Sequence, residues 1–167
     1  RMLIPRAQIA AAEAIAAKVT ESVVVGDPKA EATTMGPVVS EVQFNKIQGL
    51  IQAGIDEGAT LVCGGAGRPD GLEHGYFIKP TVFSNVSNDM TVAKEEIFGP
   101  VLVMMPYDSI EEAISVANDT PYGLAGYVQG NNMDAVMNVA SQIRAGNINI
   151  NGGSGDLHTP FGGYKQS

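Results

Sequence analysis

Few side chains in this sequence have the type and spacing that chemistry requires. Cys63 is the sole thiol, and it closes the apolar run Leu61-Val62-Cys63-Gly64 with no histidine or other base near it in sequence. A cysteine so placed reads as a small buried hydrophobe, because reactivity needs a stabilised thiolate. His74 and His158 are the two histidines, and each stands alone. Isolated imidazoles without neighbouring carboxylate ligands argue against a metal site. A dinucleotide fingerprint nearly occurs twice. Around Gly65 and Gly67 it would need glycine where Asp70 stands, and around Gly153 and Gly155 it would need glycine where His158 stands. Both stretches read as ordinary glycine turns, so the chain supplies no G-x-G-x-x-G phosphate cradle. The adjacent carboxylates Glu95 and Glu96 precede Ile-Phe-Gly-Pro, and two readings of them are open. One is a charged helix end ahead of a strand. In the other, Glu96 accepts two hydrogen bonds from the cis hydroxyls of a ribose, while Phe98, two residues on, lies against a flat ring.

The elements that must hold these groups follow from periodicity. Residues 7–20 place Ile9, Ala12, Ala16 and Val19 on one helical face. Residues 41–57 follow Ser40, with Gln43 three positions on, a capping-box spacing, and their apolar set is Phe44, Ile47, Leu50, Ile51 and Ile55. Ser109 and Glu112 repeat the device ahead of a helix over 110–118. A fourth helix follows Asn131 or Asn132, with Met133, Val136, Met137 and Ala140 expected inward. Between the helices lie short apolar runs at 23–25, 60–63, 76–83, 101–105, 124–128 and 147–150. Runs of this kind beside helices predict an α/β fold, a largely parallel sheet flanked by helices on both faces. Pro80 demotes 76–83 to an edge or bulged strand. No repeat, low-complexity tract or linker divides the chain, so residues 1–167 read as a single domain. Residues 26–39, 64–75, 88–100 and 151–167 are left as loops, where α/β folds carry their ligand sites.

Composition closes off other classes. With 44% hydrophobic residues and 17% charged ones, the chain is globular rather than disordered, and at this length roughly 70% of the unfolded surface can be buried. A net charge of −8 argues against nucleic acid as a partner. One cysteine excludes a disulfide framework. No apolar run approaches the roughly 18–20 residues of a membrane span, and no leader is present, so a cytoplasmic protein is expected. The sequence opens at Arg1 without an initiator Met and reads as a piece of something longer.

Several ordered stretches resemble the aldehyde dehydrogenase superfamily. They are Arg1-Met-Leu-Ile-Pro-Arg6, the Gly26-Asp-Pro to Met35-Gly-Pro37 loop, Gly75 to Phe83, Met90 to Val101, Asn118-Asp-Thr-Pro-Tyr-Gly-Leu124, and Pro160-Phe-Gly-Gly-Tyr-Lys-Gln-Ser167. The resemblance covers essentially the whole chain. It implies oxidation of a small-molecule aldehyde to a carboxylic acid with NAD or NADP, through a cysteine thiohemiacetal and thioester. It assigns Glu96 to the nicotinamide-side ribose and Phe98 to the nicotinamide ring. Phe161 matches a residue of the aldehyde pocket, and the loop with Gly155, Asp156, Leu157 and His158 matches the variable segment that shapes substrate choice. It also implies that the catalytic cysteine, the general-base glutamate and the N-terminal nucleotide-binding domain lie upstream, so that no catalytic residue is in this chain. Cys63 does not match the nucleophile. A C-terminal part of the catalytic domain, inactive alone and homo-oligomeric in its parent, is the expectation. The alternatives are a non-enzymatic structural or binding descendant and a reductase of acyl-CoA or acyl phosphates.

Overall fold

The computed structural model describes residues 1–153, 158 and 160–167. It divides into two compact units, Arg1–Tyr107 and Asp108–Ser167. In the first unit, β1 (Met2–Pro5) leads through a single 3-10 turn into α1 (Ile9–Glu21), and α2 (Glu41–Asp56) follows the 26–39 loop. Then come β2 (Thr60–Cys63), β3 (Thr81–Ser84), the one-turn helix α3 (Thr91–Lys94) and β4 (Val101–Tyr107). The strands form one sheet in the order β1-β4-β3-β2. β4 pairs in parallel with β1 and with β3, while β2 runs antiparallel to β3 with a register shift between Leu61 and Cys63.

Alternation along the strands sends side chains to two helices on opposite faces. Val82 and Met104 are buried with Ile4, and Ile9, Ala12 and Ala16 of α1 pack onto them. Ser84 donates a hydrogen bond to Glu13 on the same helix. Phe83, fully buried, faces the other way and meets Gly54 of α2. Ile47 and Ile51 of α2 are also fully buried. Helices on both faces of a sheet with mostly parallel pairings are the α/β arrangement that continuous apolar runs require.

Several local expectations are corrected. β3 is an interior strand, although Pro80 precedes it, because the ladder begins at Thr81 and proline's missing N–H falls outside it. Thr81 itself donates to the Pro100 carbonyl. Residues 23–25 form no strand, only an isolated bridge from Val25 to Met35. β1 has no counterpart among the apolar runs read from the sequence.

The second unit contains α4 (Ile110–Asn118), β5 (Ala125–Val128), α5 (Met133–Ala140) and β6 (Asn147–Ile150). β5 and β6 form a two-stranded parallel sheet. The cap predicted at Ser109 is present, its hydroxyl accepting from the Glu112 N–H, and of Asn131 and Asn132 it is Asn132 that caps α5, accepting from the Ala135 N–H. Asn118 ties this unit together by donating to the Gln142 carbonyl and accepting from the Arg144 N–H. Of the four α5 residues expected inward, only Val136 is buried; Met133 and Met137 are about half exposed.

Candidate functional site

The loop Glu95–Pro100, between α3 and β4, carries the two residues assigned to a cofactor, and α2 holds it. α2 starts where it does because the Ser40 hydroxyl accepts from the Gln43 N–H. The Gln43 side chain does not complete the box by returning to the cap. Its Nε2 donates instead to the carbonyls of Ile97 (2.9 Å) and Phe98 (3.0 Å). One turn further along α2, Lys46 Nζ donates to the Glu96 carbonyl at 2.9 Å and lies 5.7 Å from the centre of the Phe98 ring. Two side chains of one helix thus take three successive carbonyls of the loop. Ile97 is buried between them, and Gly99 lies so close to Ile47 that a Cβ would stand 2.6 Å from its Cδ1.

With its carbonyls turned toward α2, the loop presents Glu96 and Phe98 to solvent. Phe98 is 71% exposed and sits at φ 51°, in the left-handed region that a phenylalanine rarely occupies. That conformation costs about 1–2 kcal/mol, so the surrounding hydrogen bonds must hold it. Backbone outliers of this kind cluster at functional sites. The exposed Glu96 carboxylate has no hydrogen-bond partner among the described residues.

α2 also anchors the segment at its other end. Glu57, which caps the C-terminus of α2, accepts from the Thr91 N–H and hydroxyl at the first turn of α3. Just ahead of that turn, the Ser87 hydroxyl holds the Asp89 carboxyl below its ordinary pKa. A second loop leans on the same helix. Gln48 exchanges two hydrogen bonds with the backbone of Gly67, and the Arg68 guanidinium lies 4.4 Å from the Phe44 ring centre.

The remaining assigned residues belong to the second unit. Phe161 is 92% exposed. His158 is exposed within a turn. Gly155, Asp156 and Leu157 lie outside the described residues. Cys63 is partly buried against the cluster around Val82 and Met104. No group of three or more potential metal ligands occurs among the described residues. Gln43 and Lys46 are the site residues that sequence reading missed. Their only signal was a polar pair at i, i+3 beside the buried Ile47, which any solvent-facing helix stripe would also show.

A carboxylate exposed and without a partner among the described residues, two residues from an exposed aromatic ring, fits a sugar diol joined to a planar heterocycle. Comparison with known proteins places this loop in context. Residues 1–167 match the model of the aldehyde dehydrogenase family. A 3-succinoylsemialdehyde-pyridine dehydrogenase from a Pseudomonas species is 50% identical over the whole chain, which covers 35% of that protein. Among solved structures, a variant of aldehyde dehydrogenase C from Pseudomonas syringae, complexed with NAD+ and octanal, superposes with a TM-score of 0.96 at 52% identity. The match covers 99% of this chain and 34% of that one. An aldehyde dehydrogenase from Mycobacterium tuberculosis complexed with NAD+ gives a TM-score of 0.92 at 48% identity, over 98% of this chain and 34% of that one. The chain spans about a third of the length of the relatives it matches.

Proposed function

Because the chain belongs to the aldehyde dehydrogenase family, we propose that it is the C-terminal part of the catalytic domain of an NAD(P)-dependent enzyme that oxidises an aldehyde to a carboxylic acid. Both compact units belong to that one domain in this reading. The observation that carries it is the α2-clamped loop, which offers an exposed carboxylate and an exposed ring at Glu96 and Phe98. Glu96 holds the ribose hydroxyls next to the nicotinamide, since an ionised carboxylate accepts two hydrogen bonds at once. Phe98 packs beside the nicotinamide ring and limits its tilt. When bound, the cofactor supplies the hydride acceptor that aldehyde oxidation needs. NAD+ bound by relatives at about 50% identity supports this assignment.

The chain's own contribution is binding and orientation rather than bond making. Cys63 is packed at the end of β2 and is not the nucleophile. The attacking cysteine and the general base are supplied from outside these residues, so the 167-residue chain alone is inactive. Phe161 contributes to the aldehyde pocket, and the 155–158 segment shapes substrate choice. The small aldehyde is the enzyme's substrate, and the working form is a homo-oligomer.

Glu96→Gln in the intact enzyme is the test. Two hydrogen bonds to a charged acceptor are worth about 1.5–3 kcal/mol each, so KM for the nicotinamide cofactor should rise by at least about tenfold with aldehyde KM unchanged. An unaltered cofactor KM would refute the role given to Glu96.

A further inference from the structure

Residues 160–167 form no helix or strand, yet they are tied closely to the turn at 118–123 of the same unit. The Tyr164 N–H donates to the Gly123 carbonyl and the Gln166 N–H to that of Pro121, each at 3.0 Å. Lys165, at φ 61°, donates from Nζ to the Asn118 carbonyl at 2.7 Å. The Ser167 hydroxyl accepts from the Gly123 N–H at 3.1 Å. The Gly123 carbonyl is shared, because the Gly146 N–H also donates to it, at 2.9 Å, directly ahead of β6. One oxygen thus fixes both the start of a strand and the 160–167 segment.

That double use leaves no room at Gly146. A Cβ there would collide with the Gly162 carbonyl oxygen and stand 2.7 Å from the carbonyl carbon and 2.9 Å from the Gly163 α-carbon. All three are main-chain atoms, so none can rotate away as a side chain would. Gly146 is not at positive φ, and space alone therefore demands glycine. Phe161 precedes Gly162 directly. With its ring 92% exposed, its position follows from the backbone rather than from burial.

We propose that Gly146 is a positioning residue for aldehyde specificity: by letting the backbone at 162–163 close onto the start of β6, it fixes how far the Phe161 ring reaches toward the substrate. The inference rests on the pocket role given to Phe161 above and deepens it. A methyl group at 146 pushes residues 162–163 outward and carries Phe161 with them. A shift of about 1 Å in a group that positions substrate is enough to change rates severalfold or more. Aldehydes long enough to touch the ring lose that contact, whereas short ones do not, so discrimination by chain length shrinks.

The test uses the intact enzyme with straight-chain aldehydes from propanal to octanal, and the variants Gly146→Ala, Phe161→Ala, their combination and Ser167→Ala. Gly146→Ala should lower the octanal-to-propanal ratio of kcat/KM about tenfold, with KM for NAD+ unchanged. In the Phe161→Ala background it should shift that ratio by less than about twofold, because no ring remains to place. An equal shift in both backgrounds would overturn the proposal, and so would an unchanged ratio in a folded Gly146→Ala enzyme. If that variant does not fold, Ser167→Ala decides. It removes only the acceptor for the Gly123 N–H and should lower the ratio about threefold, the worth of one hydrogen bond; no change there overturns the proposal. Phe161→Ala separates the two failures. If it alters the ratio while Gly146→Ala does not, the positioning role falls and the pocket role stands; if it alters nothing, the pocket role itself falls.

Discussion

Gly99 shows how tightly one atom is controlled at the candidate site. Its α-carbon faces Ile47, and an added methyl would lie 2.6, 2.9 and 3.1 Å from three carbons of that fully buried side chain. A branched side chain in a closed core cannot swing aside, so Gly99→Ala should cost about 1–3 kcal/mol. Urea unfolding would read this as a lower midpoint at constant slope. The same scale marks the limit of the sequence. Glu96 and Phe98 were legible as a carboxylate and an aromatic at useful spacing, but nothing in the letters predicted a phenylalanine at φ 51°. Gln43 was legible as a capping residue only. Its real partners lie more than fifty residues away, and no local pattern encodes such a pairing.

At the scale of elements, the best-read pieces are those with chemistry at their ends. Helices opening at Ser40 and Ser109 start where those caps dictate, and β2 and β6 match the apolar runs bounded by Gly or Asn. β1 was missed because Met-Leu-Ile-Pro is too short to show a period, and α3 is a single turn held by a carboxylate from elsewhere. Met133 and Met137 fit a helical face yet stay half exposed, since periodicity reveals a face but not what covers it. The Ser40 cap has a second consequence, because Gln43 occupies the first turn it fixes. Ser40→Ala should destabilise the unit by about 1 kcal/mol. Hydrogen exchange should then accelerate at residues 96–98 as well as in the first turn of α2.

Over the chain as a whole, burial is uneven. Every buried hydrophobic residue among those described, save Val136, belongs to Arg1–Tyr107. That unit still leaves Met2, Ile15 and Val19 exposed along an apolar groove beside α1. The second unit carries a two-stranded parallel sheet with Tyr127 and Leu124 exposed, although parallel sheets are ordinarily covered on both faces. Apolar area on this scale is a mark of association. The isolated 167-residue chain should therefore elute above monomer size in size-exclusion chromatography, and should reduce no NAD+ when given aldehyde. A clean monomer would contradict the first expectation, and turnover that survives Cys63→Ser would contradict the second.

The grip of α2 on residues 91–98, through Glu57 at one end and Gln43 with Lys46 at the other, ties a ligand-facing loop to the breathing of a single helix. Substitutions along the outer side of that rod, remote from any bound molecule, would loosen or tighten its hold on both anchors together. Affinity could then drift during evolution with every contacting side chain left in place.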